Sequence, residues 1–116
     1  MNSNFVLLCC SFSYYSAVFF YVGNEADVTL YVEHTGLMWE NAQAMNARIV
    51  FAEHRYYGES QPFGAASSMF YEYMTHEQAL ADYAELAYYL STEAIASGGV
   101  KQPFIAFGGM FIYSSI

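Results

Sequence analysis

Three short apolar runs constrain the fold more than any other feature of the chain: Ala17-Val18-Phe19-Phe20-Tyr21-Val22, Ala47-Arg48-Ile49-Val50-Phe51-Ala52 and Phe104-Ile105-Ala106-Phe107. Each is short for a buried helix, rich in β-branched or aromatic side chains and almost free of polar residues. In the first two, continuous rather than alternating hydrophobicity marks a strand covered on both faces, as in a parallel sheet. The first run stops at Gly23-Asn24 and the third at Gly108-Gly109, so both end in turn-forming residues.

What lies between the runs supplies the crossovers that parallel strands need. Gly36 to Asn46 places Leu37, Met38, Ala42 and Met45 at roughly helical spacing. Thr75 opens the clearest helix, with Gln78 three residues on in a capping-box arrangement and Glu77 at the positive end of the helix dipole. Ala79, Leu80, Tyr83, Ala84, Leu86, Ala87 and Leu90 give that helix a wide apolar face; Gly98-Gly99 ends it, and Pro103 introduces the last strand. Val28 to Val32 alternates and reads either as a short strand or as a turn leading into the next helix. Tyr56 to Tyr73, holding Gly58, Pro62 and Gly64, reads as a long loop. The order strand, helix, strand, loop, helix, strand predicts the α/β class, with right-handed crossovers onto a parallel sheet. At 116 residues, without an internal repeat or linker, the chain is one domain at most.

Composition removes several function classes. A chain that is 56% hydrophobic and 20% aromatic is not a disordered acidic tail. Arg48, Arg55 and Lys101 oppose eleven carboxylates, giving a net charge of −8. Nucleic acid is therefore not an expected partner, and anionic membrane surfaces are disfavoured for the same reason. Cys9 and Cys10 are adjacent and form neither a disulfide framework nor a metal-ligand pattern. His34, read as a loop residue, and His76, in a first helical turn, stand apart from other ligands, so neither a metal nor a cofactor is expected. The apolar stretch from Phe5 to Val22 has no basic residue before it and no clear small-x-small cleavage site, which disfavours a signal peptide. Ser11, Ser13 and Ser16 interrupt it, which disfavours a membrane-spanning helix; an irregular leader followed by a buried strand is expected instead.

Four motifs in fixed order carry a specific resemblance. Glu53-His54-Arg55-Tyr56-Tyr57-Gly58-Glu59-Ser60 is the most distinctive. Tyr21-Val22-Gly23-Asn24-Glu25 and Thr35-Gly36-Leu37-Met38-Trp39 precede it, and Glu77-Gln78-Ala79-Leu80-Ala81-Asp82-Tyr83-Ala84-Glu85-Leu86 follows. Together they resemble the prolyl carboxypeptidase and dipeptidyl peptidase II family of serine exopeptidases, over about residues 17–109. That divides the chain into an unmatched leader (1–16), a partial core (17–109) and an unmatched tail (110–116). The resemblance implies the N-terminal portion of an α/β-hydrolase fold, with parallel strands, crossover helices and an incomplete sheet. It also implies a Ser-Asp-His triad in that chain order, peptide substrates cut beside proline or small residues at a terminus, and a lysosomal or secreted location.

The nucleophile is where the chain departs from the family. The family's serine sits in a Gly-Gly-Ser-Tyr-Gly-Gly turn directly after the strand that matches Phe104 to Phe107. Here Gly108-Gly109 is either the first glycine pair, which puts Met110 in the serine's place, or the end of a turn from which the serine has been deleted. Under both alignments the nucleophile is absent, and a thioether has no proton for a base to remove. Ser114 and Ser115 lack flanking glycines and are not substitutes. The expected function is thus a serine-type exopeptidase represented by an incomplete chain that is inactive alone. The alternatives are a non-catalytic hydrolase-like binding module and a small membrane-associated protein.

Several residues are candidates for the rest of a site. The resemblance places Gly23, Asn24 and Glu25 in the loop from which α/β-hydrolases draw an oxyanion-hole N–H, although the residues alone read as an ordinary turn. Ala26 stands where the family has glycine. Tyr56 and Tyr57 either line a substrate pocket or pack their own loop. His54, between Glu53 and Arg55, reads as part of a polar cluster that fixes the loop rather than as a general base, because the family's catalytic histidine comes far downstream.

Overall fold

The computed structural model describes residues 15–64 and 70–108, with the side chains of Phe70 and Tyr71 left aside. Met110, Gly109, both cysteines and nearly all of the leader and tail lie outside the described residues.

The three apolar runs form the strands β1 (Ala17–Val22), β2 (Ala47–Ala52) and β3 (Phe104–Gly108). They make one open, parallel sheet in the order β2-β1-β3. Register runs from Ala17↔Ala47 to Val22↔Ala52 on one side of β1, and from Val18↔Phe104 to Val22↔Gly108 on the other. Alternation along β1 sorts its side chains by face. Phe19 and Tyr21 join Ile49 and Phe51 under the first helices, while Val18 and Phe20 join Val50 and Ala52 under the last.

Helices α1 (Val28–His34) and α2 (Gly36–Ala42) cover one face. A short α3 (Phe70–Tyr73) precedes the long α4 (His76–Ala96), which covers the other with Ala79, Tyr83, Leu86 and Leu90. The two crossovers leave the sheet in opposite directions, β1 to β2 one way and β2 to β3 back past β1. Connections of one hand must then lie on opposite faces, as these helices do.

Three expectations need correction. Val28 to Val32 is helical, not a strand: Asp27 caps it, its Oδ1 accepting from the Thr29 N–H at 2.9 Å and the Thr29 hydroxyl at 2.6 Å. The apparent alternation came from a helix that buries only Val28 fully. His34 consequently closes α1 rather than sitting in a loop. The loop from Tyr56 to Tyr73 ends in a helical turn, α3.

The ends of α4 follow the sequence closely, apart from one half of its cap. Thr75 Oγ1 accepts from the Gln78 N–H at 3.3 Å. The Gln78 side chain does not complete the box; its Oε1 accepts from Arg55 Nη1 at 3.1 Å. Gly98 takes φ +81°, and the N–H groups of Gly98 and Gly99 bond Ile95 O and Ala94 O, each at 3.0 Å. That pairing is the Schellman closure, for which a residue without Cβ is the natural choice.

Candidate functional site

A parallel sheet binds ligands beyond the carboxyl ends of its strands, where neighbouring crossovers diverge. In the order β2-β1-β3 the divergence falls between β1 and β3. A hollow of about 360 Å³ lies there, lined by Tyr21 and Asn24 from the end of β1, by His34 to Met38 from the α1–α2 junction, and by Phe107 and Gly108 from the end of β3. The turn expected to hold a nucleophile follows Gly108 directly.

The loop after β1 is fixed from several sides. Gly23 is buried, and a Cβ there would run into Ala52 O and stand 2.9 Å from the His54 backbone nitrogen. Its carbonyl accepts from the Tyr83 hydroxyl at 3.0 Å, a bond from α4 that crosses sixty residues of sequence. Burial is the main reason the Tyr83 phenol is pushed far above its ordinary 10.0, with the Asp82 and Glu53 charges adding to it. Asn24 Nδ2 donates to the Tyr21 hydroxyl at 3.1 Å, and the Ala26 N–H bonds Asn24 O at 2.8 Å. The three residues of the oxyanion-loop reading thus lie in one short turn, of which Asn24 lines the hollow.

The loop after β2 is organised by Glu53 and Arg55. Glu53 is almost wholly buried; its Oε1 accepts from the Val28 N–H at 3.2 Å and its Oε2 from the Ser60 N–H at 2.8 Å. One carboxylate therefore ties the start of α1 to both ends of its own loop. Gly58, at φ +65°, lies against that carboxylate with no room for a side chain. Arg55 binds Asp82 bidentately, Nε to Oδ2 and Nη2 to Oδ1, both at 2.7 Å, and Nη1 also reaches Tyr73 O at 3.0 Å. The bond to Asp82 raises the Arg55 pKa further above its already high value.

Between them sits His54, whose Nδ1 lies 2.8 Å from Arg55 O; since a carbonyl only accepts, Nδ1 carries the proton. Burial pushes the imidazole below its ordinary 6.5, against the opposing pull of that bond and of Glu25. The Tyr57 ring meets it edge-on with centroids 5.0 Å apart. Burial raises the Tyr57 phenol, with the Glu25 charge and a hydrogen bond to Glu25 adding to the effect. Tyr56 takes φ +68°, is buried, and bonds Ser60 O through its N–H at 2.6 Å.

The candidates therefore divide. Gly23 and Asn24 stand at the hollow; Glu25, His54 and Tyr57 form a neighbouring cluster on the β2 side. Neither Tyr56 nor Tyr57 is among the side chains lining the hollow. Sequence reasoning missed Tyr21, His34, Thr35 and Tyr83. Tyr83 left one signal, a phenol on an otherwise apolar helix face, whose hydroxyl needs a partner once buried. The hollow's described hydroxyls are already engaged: Thr35 Oγ1 donates to Tyr31 O at 2.8 Å and the Tyr21 oxygen accepts from Asn24. In its bond the Tyr21 oxygen acts as acceptor, so the phenol keeps its own proton. Among the described residues no group of three potential ligands gathers to hold a metal ion, and no helix is long and apolar enough to cross a membrane.

Comparison with known proteins identifies the family of the chain. The family model described as serine carboxypeptidase S28 matches residues 12–114, reaching past both edges of the span from Ala17 to Gly109. Lysosomal Pro-X carboxypeptidase of Mus musculus is 48% identical over 98 residues, 82% of this chain and 20% of that protein. The Homo sapiens protein of the same name is 47% identical over 98 residues, covering 82% and 19% respectively. Prolyl carboxy peptidase like protein 5 of Caenorhabditis elegans is 41% identical over 97 residues, 81% of this chain and 19% of that protein. The chain spans about a fifth of the length of these curated relatives. With a family match over most of its length, the chain belongs to the serine carboxypeptidase S28 family.

Proposed function

We propose that this chain forms the oxyanion-loop side of a peptide-binding site of the Pro-X carboxypeptidase kind and hydrolyses no peptide by itself. The observation that carries the reading is the hollow at the β1–β3 divergence, bounded by Asn24 on one strand end and Gly108 on the other. In this reading residues 17–109 are the partial hydrolase core. Gly23, Asn24 and Glu25 supply the loop that faces a substrate carbonyl, and Tyr57, beside Glu25, flanks the path of the peptide. Either Met110, whose thioether has no hydroxyl to attack with, takes the place of the family's serine, or that serine is deleted from the turn. The substrate class is a peptide with proline near its terminus and the compartment is lysosomal, as the names of the relatives suggest.

Two measurements on the 116-residue chain test this. Incubation with a fluorophosphonate probe is expected to give no covalent adduct; a labelled serine would overturn the claim of inactivity. Titration of the isotope-labelled chain with a peptide ending in Pro-Phe is expected to shift the amides of Tyr21 to Glu25, Thr35 to Met38, Phe107 and Gly108. Shifts confined to other regions, or none at millimolar peptide, would sink the binding reading.

A further inference from the structure

We infer that Tyr83 is a positioning residue that aims the Asn24 backbone N–H into the hollow between β1 and β3. The inference rests on the oxyanion-loop reading for its chemical purpose, but its geometry stands independently. The peptide linking Gly23 and Asn24 is a flat trans unit, as are all the described peptides, so its C=O and N–H point in opposite directions. The Tyr83 hydroxyl donates to the Gly23 oxygen at 3.0 Å and pulls that carbonyl toward α4, on one face of the sheet. The Asn24 N–H is thereby turned toward the other face, beneath α1 and α2. The hollow lies on that side, with Tyr21, Asn24 and Met38 in its lining.

Two further features fix the surroundings of the unit. Gly23 runs so close to Ala52 O and the His54 nitrogen at the end of β2 that no side chain fits there. The Ala26 N–H holds Asn24 O at 2.8 Å from the following residues. Neither contact involves the Gly23 carbonyl oxygen, which the phenol from α4 holds. An oxyanion donor works only if it is already aimed where charge develops. A buried hydroxyl that holds the opposite end of the same peptide unit supplies that aim without touching substrate. Tyr83 sits next to Asp82, which clamps Arg55, so adjacent residues of α4 brace the loops that follow β1 and β2.

Residual dipolar couplings on the isotope-labelled 116-residue chain read the direction of the Asn24 N–H vector relative to the strand amides. In Tyr83→Phe we expect the Asn24 coupling to depart from the alignment tensor that still fits β1, β2 and β3. A Tyr83 with only a packing role would lower the melting temperature and leave that vector in place; an unchanged coupling overturns the proposal. If Tyr83→Phe does not fold, the unsubstituted chain decides. Its Asn24 N–H vector, fitted against the strand amides, should point toward the face of the sheet covered by α1 and α2, and a vector pointing toward α4 refutes the inference. Neither readout involves peptide, so a failed peptide titration would count against the proposed function and not against the role of Tyr83.

Discussion

The Asp82 carboxylate meets the Arg55 guanidinium edge to edge, and the two side chains keep only 12% and 10% of their surface exposed. A pair this sheltered behaves differently from a surface ion pair, because removing one partner strands the other charge away from water. Asp82→Ala is expected to cost about 3 kcal/mol in unfolding free energy. Arg55→Lys is also expected to destabilise, since an ammonium cannot make the fork of two parallel bonds. Urea denaturation measures both. A loss from Asp82→Ala below about 0.5 kcal/mol would class the contact with ordinary surface pairs.

Gly58 tolerates no side chain, for two independent reasons. Its φ of +65° lies in the left-handed region, and a Cβ would overlap the buried Glu53 carboxylate. That carboxylate cannot retreat without releasing the N–H groups of Val28 and Ser60. Gly58→Ala should therefore cost about 2–4 kcal/mol, beyond the roughly 1 kcal/mol expected for a left-handed alanine in open space. Gly64, at φ +82° with nothing within 4 Å, is the internal control. Thermal melts of Gly58→Ala and Gly64→Ala should differ clearly; equal losses would mean that the Glu53 contact contributes nothing.

The sheet was legible because buried parallel strands announce themselves: β1 and β2 begin and end at the residues where their apolar runs do. Both ends of α4 were legible through Thr75 and Gly98, whose local chemistry does not depend on tertiary contacts. What escaped depended on distance. Val28 to His34 is too short for a helical period to separate from alternation, and its cap at Asp27 is an aspartate like many turn residues. Glu53 and Arg55 stood out in the sequence as a polar cluster. Their partners at Val28, Ser60, Gln78 and Asp82 come from other elements, and only folding names them. The hollow itself is a product of strand order, which no local pattern encodes; the family motifs placed Gly23 and Asn24 near it by resemblance alone.

The diversion of the Gln78 side chain from capping to Arg55 is testable by coupling energies. Thr75→Ala removes the oxygen that accepts from the Gln78 N–H and should cost about 1 kcal/mol. Gln78→Ala leaves that backbone bond intact but deprives Arg55 Nη1 of an acceptor. Double-mutant cycles should then give a coupling of about 0.5–1 kcal/mol between Gln78→Ala and Arg55→Ala, and less than about 0.3 kcal/mol between Gln78→Ala and Thr75→Ala. The reverse ranking would restore the reciprocal capping box.

His54 makes stability fall on the acid side of neutrality. Burial lowers its pKa in the fold below the 6.5 of the free side chain, although the Arg55 carbonyl and Glu25 favour the charged form. Arg55 and His76 act with burial to disfavour it. Below pH 6.5 the unfolded chain takes up the proton first, so it binds more protons than the folded chain and stability declines as pH falls. The contribution is complete above pH 6.5 and is lost as pH drops through the lowered folded-state value. His54→Phe has a ring of similar size and no titrating nitrogen, but it gives up the bond to Arg55 O. It should be less stable than the parent at pH 7.5, with a flatter pH dependence between pH 7 and 5. Chemical denaturation of parent and variant across that range measures the difference in slope, and parallel curves would show that His54 does not carry the effect.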